Sequence, residues 1–256
     1  MRIISPLVIT LLFCAMHIQA EDKSYKASTL AYPPYQYIVD GQPAGIAVDI
    51  INEAFSRAGA GVVEYSFFPW KRAVFLTETG QSDLLFNAGK NSERQQWGRY
   101  VNSVLIQQSY RLFKLASKDL QIEHDFRNVS DTSIAVRAGY LYGSGAFRNA
   151  LDQGAFNDVL LSDSTQQSVN QLLHGRVDMF VGDYVPVSYY LRQLGLNHLV
   201  DTVEIEGEPL EVLSWPTYIL LSRQNTDEEL EARLFQVMEE MKQDGTYQLI
   251  VNRYRE

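Results

Sequence analysis

The chain has 256 residues, one cysteine and a formal net charge of −9. A chain of this length can bury a core without disulfide bonds, and its acidic balance argues against nucleic acid or an anionic membrane surface as the main partner. The sequence holds no phosphate-loop or nucleophile motif, and its histidines do not stand at metal-ligand spacing. We therefore expect neither a metal nor another cofactor.

The N-terminus has the pattern of a secretory signal. Arg2 is followed by an apolar run over residues 3–16 and then by the small residue Ala20. This order is typical of a cleaved signal, and the run is short for a membrane span. Removal of residues 1–20 would also remove Cys14, so the exported chain would contain no cysteine. We predict export to the periplasm.

The first part of the exported chain alternates between strand and helix patterns, which is typical of a parallel α/β unit. The predicted elements are a strand at 24–30, a helix from Val48 to Gly59, a strand at 62–68, a helix from Pro69 to Gly80, and a short buried strand at 84–86.

The buried strand is followed by a turn at 87–90 and a helix that carries Arg94. Asn91 or Ser92 is suited to cap this helix, because a short polar side chain accepts the free amide protons of a first turn. Open α/β sheets bind ligands at the carboxyl ends of their strands, and arginine offers paired donors to a carboxylate. The sequence therefore predicts an anion-binding position, with a solvated surface arginine as the alternative.

The second part of the chain restarts the pattern. Its predicted elements are strands at 110–116 and 134–136, a glycine-rich turn at 137–145, a helix at 166–173, strands at 177–181 and 215–222, a helix from a capping box at 226–229 to near Gly245, and a last helix at 247–254.

An internal echo links the two parts. Gly80-x-x-Asp83 and Gly175-x-x-Asp178 each follow a helix and precede an apolar strand, about 95 residues apart. Such a repeat predicts two similar lobes, each with a strand that ends at a shared cleft. The repeat is short, and a chance similarity is the alternative. We interpret Asp83 and Asp178 as structural.

Three further residues each have two interpretations. Asp183 directly follows the strand at 177–181, so it either caps the next turn or contacts a ligand. Trp70 belongs to the core or lines the cleft, and Arg72 is solvated or reaches the same cleft.

The motifs YPPY, GIAVDI, Ser-Glu-Arg, GRVDMFVGD and DGTYQLIVNRY occur in this order along nearly all of the exported chain. Together they resemble the family 3 periplasmic solute-binding proteins of ABC importers, which bind polar amino acids. The resemblance implies an α/β, two-lobe periplasmic-binding-protein-like (type II) fold with two hinge strands. Lobe 1 would comprise 21–105 and 214–256, and lobe 2 would comprise 106–213.

The resemblance also implies roles for individual residues. Arg94 would bind a ligand carboxylate, and Asp183 would bind an ammonium group from the other lobe. Thr29 stands where the family often has an acid that helps to hold the ammonium. The remaining expected ligand contacts are Tyr35, Asn87 and Gly89 from lobe 1 and Arg137, Tyr140 and Leu141 from lobe 2. Trp70 and Arg72 are also expected near the cleft, as in a divergent branch of the family.

The function implied by the resemblance is binding of an amino acid or related carboxylate by hinge closure, for delivery to an ABC permease. We expect a monomer that is not an enzyme. One alternative is a dehydratase-like enzyme on the same fold, for which Asp183 or Glu93 could supply the catalytic carboxylate. Another is a sensor subunit that presents its closed form to a membrane receptor.

Overall fold

The computed structural model describes residues 23–140 and 142–254. The predicted signal at 1–20 and the predicted ligand contact Leu141 lie outside the described residues. None of the helices in the described part of the chain is both long enough and apolar enough to cross a membrane.

The helices and strands alternate along the chain. The first part contains β1 (Ser24–Thr29), β2 (Tyr37–Val39), β3 (Gln42–Ala44), α1 (Ile46–Arg57), β4 (Val62–Phe67), α2 (Trp70–Glu78), β5 (Leu84–Gly89), α3 (Ser92–Trp97) and β6 (Gly98–Tyr100). The middle part contains β7 (Ile106–Leu115), β8 (Ser133–Arg137), α4 (Ala146–Asp152), β9 (Asp158–Ser162), α5 (Thr165–Leu173), β10 (Met179–Asp183), α6 (Tyr184–Gln193), β11 (Val200–Thr202), β12 (Glu204–Ile205) and β13 (Glu208–Pro209). The last part contains β14 (Glu211–Ser222), α7 (Glu228–Gln243) and α8 (Thr246–Asn252).

One sheet runs through the molecule in the order β4-β1-β5-β14-β7-β10-β8-β9. Strands β4, β1 and β5 are parallel to one another, and so are β10, β8 and β9. Between these two parallel groups, β14 pairs antiparallel with β5 and with β7, and β7 pairs antiparallel with β10. Strands β7 and β14 are therefore the two connections by which the chain crosses between the groups.

The hydrophobic core divides in the same way. One large cluster packs helices α1 and α7 against β1 and β5, with Phe55, Phe86 and Leu234 among its buried residues. Other clusters use only residues from Tyr110 to Leu213 and surround β8 and β10. Each parallel group thus has its own apolar core, which is the arrangement expected of two lobes. The predicted lobe boundaries stay a prediction.

The echo found in the sequence has the same hydrogen bonds in both halves. The Oδ2 atom of Asp83 accepts the backbone N–H of Lys26 at 2.7 Å, and the Oδ2 atom of Asp178 accepts the backbone N–H of Ser133 at 2.7 Å. Each aspartate N–H in turn donates to the carbonyl of the same partner. Both aspartates therefore join neighbouring parallel strands, which confirms their structural interpretation.

The predicted helix caps are confirmed at one helix and corrected at another. Asn91 caps α3, since its side chain accepts the N–H of Arg94 at 2.7 Å. At α7 the capping residue is Asp227, which accepts the N–H of Leu230, whereas the predicted Thr226 donates to the Ser222 carbonyl. Helix α7 buries one apolar face, made of Leu230, Leu234, Val237, Met238 and Met241.

Candidate ligand-binding site

A cavity of about 460 Å³ lies where β5, β7 and β14 meet the loop after β8. Its volume falls in the range of small-molecule sites. It is lined by Leu30, Trp70, Asn87, Gly89, Arg94, Gln108, Tyr110, Tyr140, Tyr142, Gly143, Leu213, Trp215 and Thr217. Both parallel groups of the sheet and both crossing strands thus contribute to one cavity, which we call the large cavity.

Arg94 is the charged residue of the large cavity. Its Nη1 atom donates to the Gly89 carbonyl at 2.9 Å, and its guanidinium carbon lies 5.3 Å from the centre of the Trp70 ring. These two contacts orient the half-buried side chain. None of the ion pairs among the described residues includes Arg94. The guanidinium is therefore a positioned cation that has kept its capacity for an anionic partner.

Asn87 forms part of a polar network beneath the large cavity. Its backbone has φ of 54°, a left-handed conformation that asparagine tolerates better than most residues. Its Oδ1 atom accepts the Thr217 hydroxyl at 2.6 Å, and its Nδ2 atom donates to Gln36 at 3.0 Å. Asn87 and Gly89 were predicted to lie in a turn, but β5 continues to Gly89 because β14 pairs with it there.

Gly89 allows Trp215 to approach the strand. A Cβ atom at position 89 would overlap the indole of Trp215, so any larger residue would displace that ring. Because Trp215 comes from β14, this contact ties the lining of the large cavity to one of the crossing strands.

Three tyrosines form the opposite wall of the large cavity. The ring centres of Tyr110, Tyr140 and Tyr142 lie 6.1–6.3 Å apart in pairs. The Tyr110 hydroxyl donates to Gln108 at 3.2 Å, and the Tyr142 hydroxyl accepts the backbone N–H of Arg137 at 2.6 Å. Burial raises the pKa of Tyr110 and of Tyr142, so both are neutral near pH 7.

Asp183 lies beside a second cavity of about 20 Å³, which we call the small cavity. Asp183 is 2% exposed, its Oδ1 atom accepts the Tyr35 hydroxyl at 3.1 Å, and its Oδ2 atom has no partner. Burial raises the pKa of Asp183 to about 7, although Tyr35 and the backbone amides of Ser109 and Val185 oppose the rise. Asp183 stands at the N-cap position of α6, as one of its two interpretations expected, but its side chain forms no capping hydrogen bond there.

Arg137 lines the small cavity together with Asp183. Its Nη1 atom is buried without a partner, and its guanidinium lies 5.8 Å from the Tyr140 ring centre. Two opposite charges, each with an unpartnered atom, thus surround a space that is large enough for about one water molecule.

The structure separates the predicted site residues into groups. The large cavity contains Arg94, Trp70, Asn87, Gly89 and Tyr140, and the small cavity contains Asp183, Arg137 and again Tyr140. Tyr35 belongs to the core, and Arg72 is exposed with its guanidinium 5.4 Å from the Phe68 ring centre. Neither Tyr35 nor Arg72 lines the large cavity. Their ligand-binding roles stay predictions.

Several lining residues were not identified from the sequence: Leu30, Gln108, Tyr110, Gly143, Leu213, Trp215 and Thr217. Most of them come from β7 and β14. One feature of the sequence could have indicated Gln108. It stands two residues from Ile106 and from Tyr110, so in a strand all three side chains face the same, buried side. No group of acidic, histidine and cysteine side chains suited to a metal ion occurs among the described residues.

Solved structures share this fold. An ancestral arginine-binding protein bound to arginine is 20% identical with a TM-score of 0.68, over 90% of this chain and 97% of that chain. A histidine kinase sensor domain with similarity to periplasmic binding proteins is 18% identical with a TM-score of 0.69, over 91% and 96%. An ancestral amino-acid-binding protein, a precursor of cyclohexadienyl dehydratase, is 18% identical with a TM-score of 0.65, over 90% and 94%.

These likenesses show the predicted two-lobe periplasmic-binding-protein-like fold with its two hinge strands, β7 and β14. A comparison with curated proteins gave no match. The sequence matches the bacterial extracellular solute-binding proteins, family 3, over residues 26–256, which is nearly all of the chain. This chain therefore belongs to the family 3 bacterial extracellular solute-binding proteins.

Proposed function

We propose that the protein binds a small anionic or zwitterionic solute, an amino acid or a related carboxylate, by closure of two lobes around it. Lobe 1 comprises 21–105 and 214–256, and lobe 2 comprises 106–213. The observation that carries the proposal is the guanidinium of Arg94, which is oriented within the large cavity and pairs with none of the described acidic groups.

Binding begins at Arg94 on lobe 1. A guanidinium matches a carboxylate with two parallel hydrogen bonds, each worth about 1.5–3 kcal/mol when charge-assisted. The tyrosines Tyr110, Tyr140 and Tyr142 then cover the ligand from the other side. Closure is favoured only if the ligand binds the closed form more tightly than the open form, and these tyrosines supply that difference.

We include Asp183 in this proposal as the contact for a ligand ammonium group, although it lines the small cavity and not the large one. Asp183 accepts the Tyr35 hydroxyl at Oδ1, so an ammonium group would bind at Oδ2, which has no partner. The position where the family often has a second acid is occupied by Thr29. This residue is fully buried and donates to the Phe86 carbonyl.

Membership of an extracellular family supports the following proposed cellular role. We propose that residues 1–20 are removed on export, that the monomer works in the periplasm without a cofactor, and that it delivers its ligand to an ABC permease rather than converting it. The likeness to a histidine kinase sensor domain supports a second candidate, presentation of the closed form to a membrane receptor. Release of a chemically altered ligand after incubation would instead favour the dehydratase-like enzyme.

The first prediction concerns Arg94. We expect Arg94→Ala to weaken binding of the native carboxylate by at least about 10- to 150-fold, because each charge-assisted hydrogen bond that is lost is worth about 1.5–3 kcal/mol. Ligands are found by a thermal-shift screen of amino acids and small carboxylates, since a ligand stabilises the form that it binds. Isothermal titration calorimetry then measures the affinity.

Arg127→Ala is the matched control, because Arg127 is a 78% exposed arginine outside both cavities. It should bind like the wild type. An affinity of Arg94→Ala within about twofold of the wild type would remove Arg94 from the site.

A further inference from the structure

The charged lining of the large cavity is of positive sign only. Arg94 is the charged side chain among its described lining residues, and none of them is a carboxylate. An ammonium group that entered this cavity would lose part of its hydration without gaining an anionic partner among the lining side chains, which is unfavourable. A carboxylate would gain a partner at Arg94. The charge of the lining therefore selects for an anion rather than for a zwitterion.

Three neutral acceptors in the lining of the large cavity are already engaged by protein donors. The Oδ1 atom of Asn87 accepts the Thr217 hydroxyl, and the Oε1 atom of Gln108 accepts the Tyr110 hydroxyl. The Gly89 carbonyl accepts both Arg94 Nη1 and the Tyr100 hydroxyl, each at 2.9 Å. An amino group would thus compete with existing bonds for each of these acceptors.

The rest of the lining is aromatic or aliphatic. It is contributed by Trp70, Tyr110, Tyr140, Tyr142, Trp215, Leu30 and Leu213. A cavity of about 460 Å³ has room for about 15 water-sized groups at about 30 Å³ each. A ligand with a small polar side chain would leave much of this apolar surface without contacts, whereas an aromatic body would fill it.

The small cavity does not supply the missing acid. Asp183 faces that space of about 20 Å³, where Tyr35 and Arg137 are its neighbours. Tyr110, Tyr140 and Tyr142 line both cavities and so stand between Asp183 and the large one. An ammonium group held by Asp183 would require these rings to move.

Resting on the proposed function, we propose that the site takes a monoanionic carboxylate with an aromatic or similarly large apolar body and does not require an amino group. Arg94 binds the carboxylate, and the aromatic lining contacts the body. This ligand class leaves the bond between Tyr35 and Asp183 in place when the lobes close.

The test uses ligands that differ by one group. The pairs are 3-phenylpropanoate with L-phenylalanine and indole-3-propanoate with L-tryptophan, and the amides of both acids remove the negative charge. L-arginine and carnitine represent cationic and quaternary-ammonium ligands. Calorimetry gives the affinities for the wild type and for Arg94→Ala. For the ligands without an indole ring, emission of Trp70 and Trp215 also reports occupancy, since both line the cavity.

We expect each acid to bind at least as tightly as its amino acid and at least tenfold more tightly than its amide. In Arg94→Ala, acid and amide should bind alike. An amino acid that binds tenfold more tightly than its partner acid would overturn this inference and leave the proposed function standing. So would binding of L-arginine or carnitine without binding of either acid. If none of the probes binds, the inference fails and the proposed function stands or falls with the wider screen of amino acids and carboxylates. If Arg94→Ala binds the acids like the wild type, the proposed function fails together with the inference.

Discussion

Asp183 is a buried acid whose charge the fold disfavours. Its pKa is about 7, against an ordinary value of about 3.9. Between these two values the folded chain binds a proton at Asp183 that the unfolded chain releases. Linkage then requires that the contribution of Asp183 to stability fall as pH rises from about 4 to about 7 and stay low above that range.

Replacement of Asp183 by the neutral isostere should therefore stabilise the protein at high pH. At pH 8 we expect the free energy of unfolding of Asp183→Asn to exceed that of the wild type by up to about 4 kcal/mol. At pH 5 this gain should be smaller by about 2–3 kcal/mol. Asparagine still accepts the Tyr35 hydroxyl, so the packing is retained. Urea unfolding of both proteins at the two pH values gives the difference.

A loss of stability in Asp183→Asn at pH 8 would contradict this prediction. It would mean that Asp183 is ionised and paired with Arg137, which lines the same small cavity. Removal of one member of a buried ion pair is strongly destabilising, so the two outcomes differ in sign.

Single residues differ in how far the sequence could identify them. Asn91 was predicted as a cap because capping depends on three neighbouring residues. Arg94 was identified by its place after a buried strand and by the family motif. Asp183 was identified by the same two signals, yet its separation from the large cavity depends on the Tyr110, Tyr140 and Tyr142 rings, whose positions are set by distant segments.

At the scale of elements, Asp83 and Asp178 hold equivalent strand pairs. Asp83 joins β5 to β1 and also accepts Asn225 Nδ2 at 2.7 Å, while Asp178 joins β10 to β8 and also pairs with Lys118. Burial alone would raise the pKa of Asp178, but its hydrogen bonds with Lys118 and Ser133 lower it. The stabilisation by Asp178 is thus present above its ordinary pKa and is lost as pH falls through the lowered value.

We predict equal effects for the two aspartates. Asp83→Ala and Asp178→Ala should each lower the free energy of unfolding at pH 7 by about 1–3 kcal/mol, since each leaves a strand N–H without its acceptor. The exposed Asp131 provides the control, and Asp131→Ala should change stability by less than about 0.5 kcal/mol. Denaturant unfolding measures all three. A loss of stability in only one of the two variants would mean that the two aspartates do not contribute equally to the free energy of unfolding.

Element boundaries were predicted well where local patterns determine them and poorly at the crossing strands. Helix α5 and strand β8 begin and end within about one residue of expectation. Strands β7 and β14 begin four residues earlier than expected, at Ile106 and Glu211. The first four residues of β7 are mostly polar and those of β14 are half polar, and both stretches are strand because β7 and β14 pair with each other there. The missed lining residues come mainly from the same strands.

At the scale of the whole molecule, a small set of contacts connects the two proposed lobes beside the large cavity. The Tyr35 hydroxyl reaches Asp183, the Tyr37 and Tyr189 ring centres lie 6.0 Å apart, and Val185 packs against the core that contains α1. These contacts join protein groups to one another. Each of them favours the closed arrangement and reduces the conformational free energy that a ligand must supply.

Removal of the Tyr35 hydroxyl tests this bias. Tyr35→Phe deletes one hydrogen bond to a carboxyl group, worth about 1.5–3 kcal/mol when that group is charged, and should lower the closed-to-open ratio of the free protein by about 10- to 150-fold. We expect a larger radius of gyration in small-angle scattering without ligand, and an unchanged radius at saturating ligand. The apparent affinity should fall in proportion to the lost closed population.

Tyr65→Phe is the matched control, because its hydroxyl donates to Asn52 at 2.8 Å within one proposed lobe. It removes a tyrosine hydrogen bond that does not cross between the proposed lobes, and it should leave the scattering curve of the free protein unchanged. If Tyr35→Phe and Tyr65→Phe scatter alike, the bond between Tyr35 and Asp183 does not hold the lobes together. Closure would then depend on the ligand, and the affinity of Tyr35→Phe should equal that of the wild type.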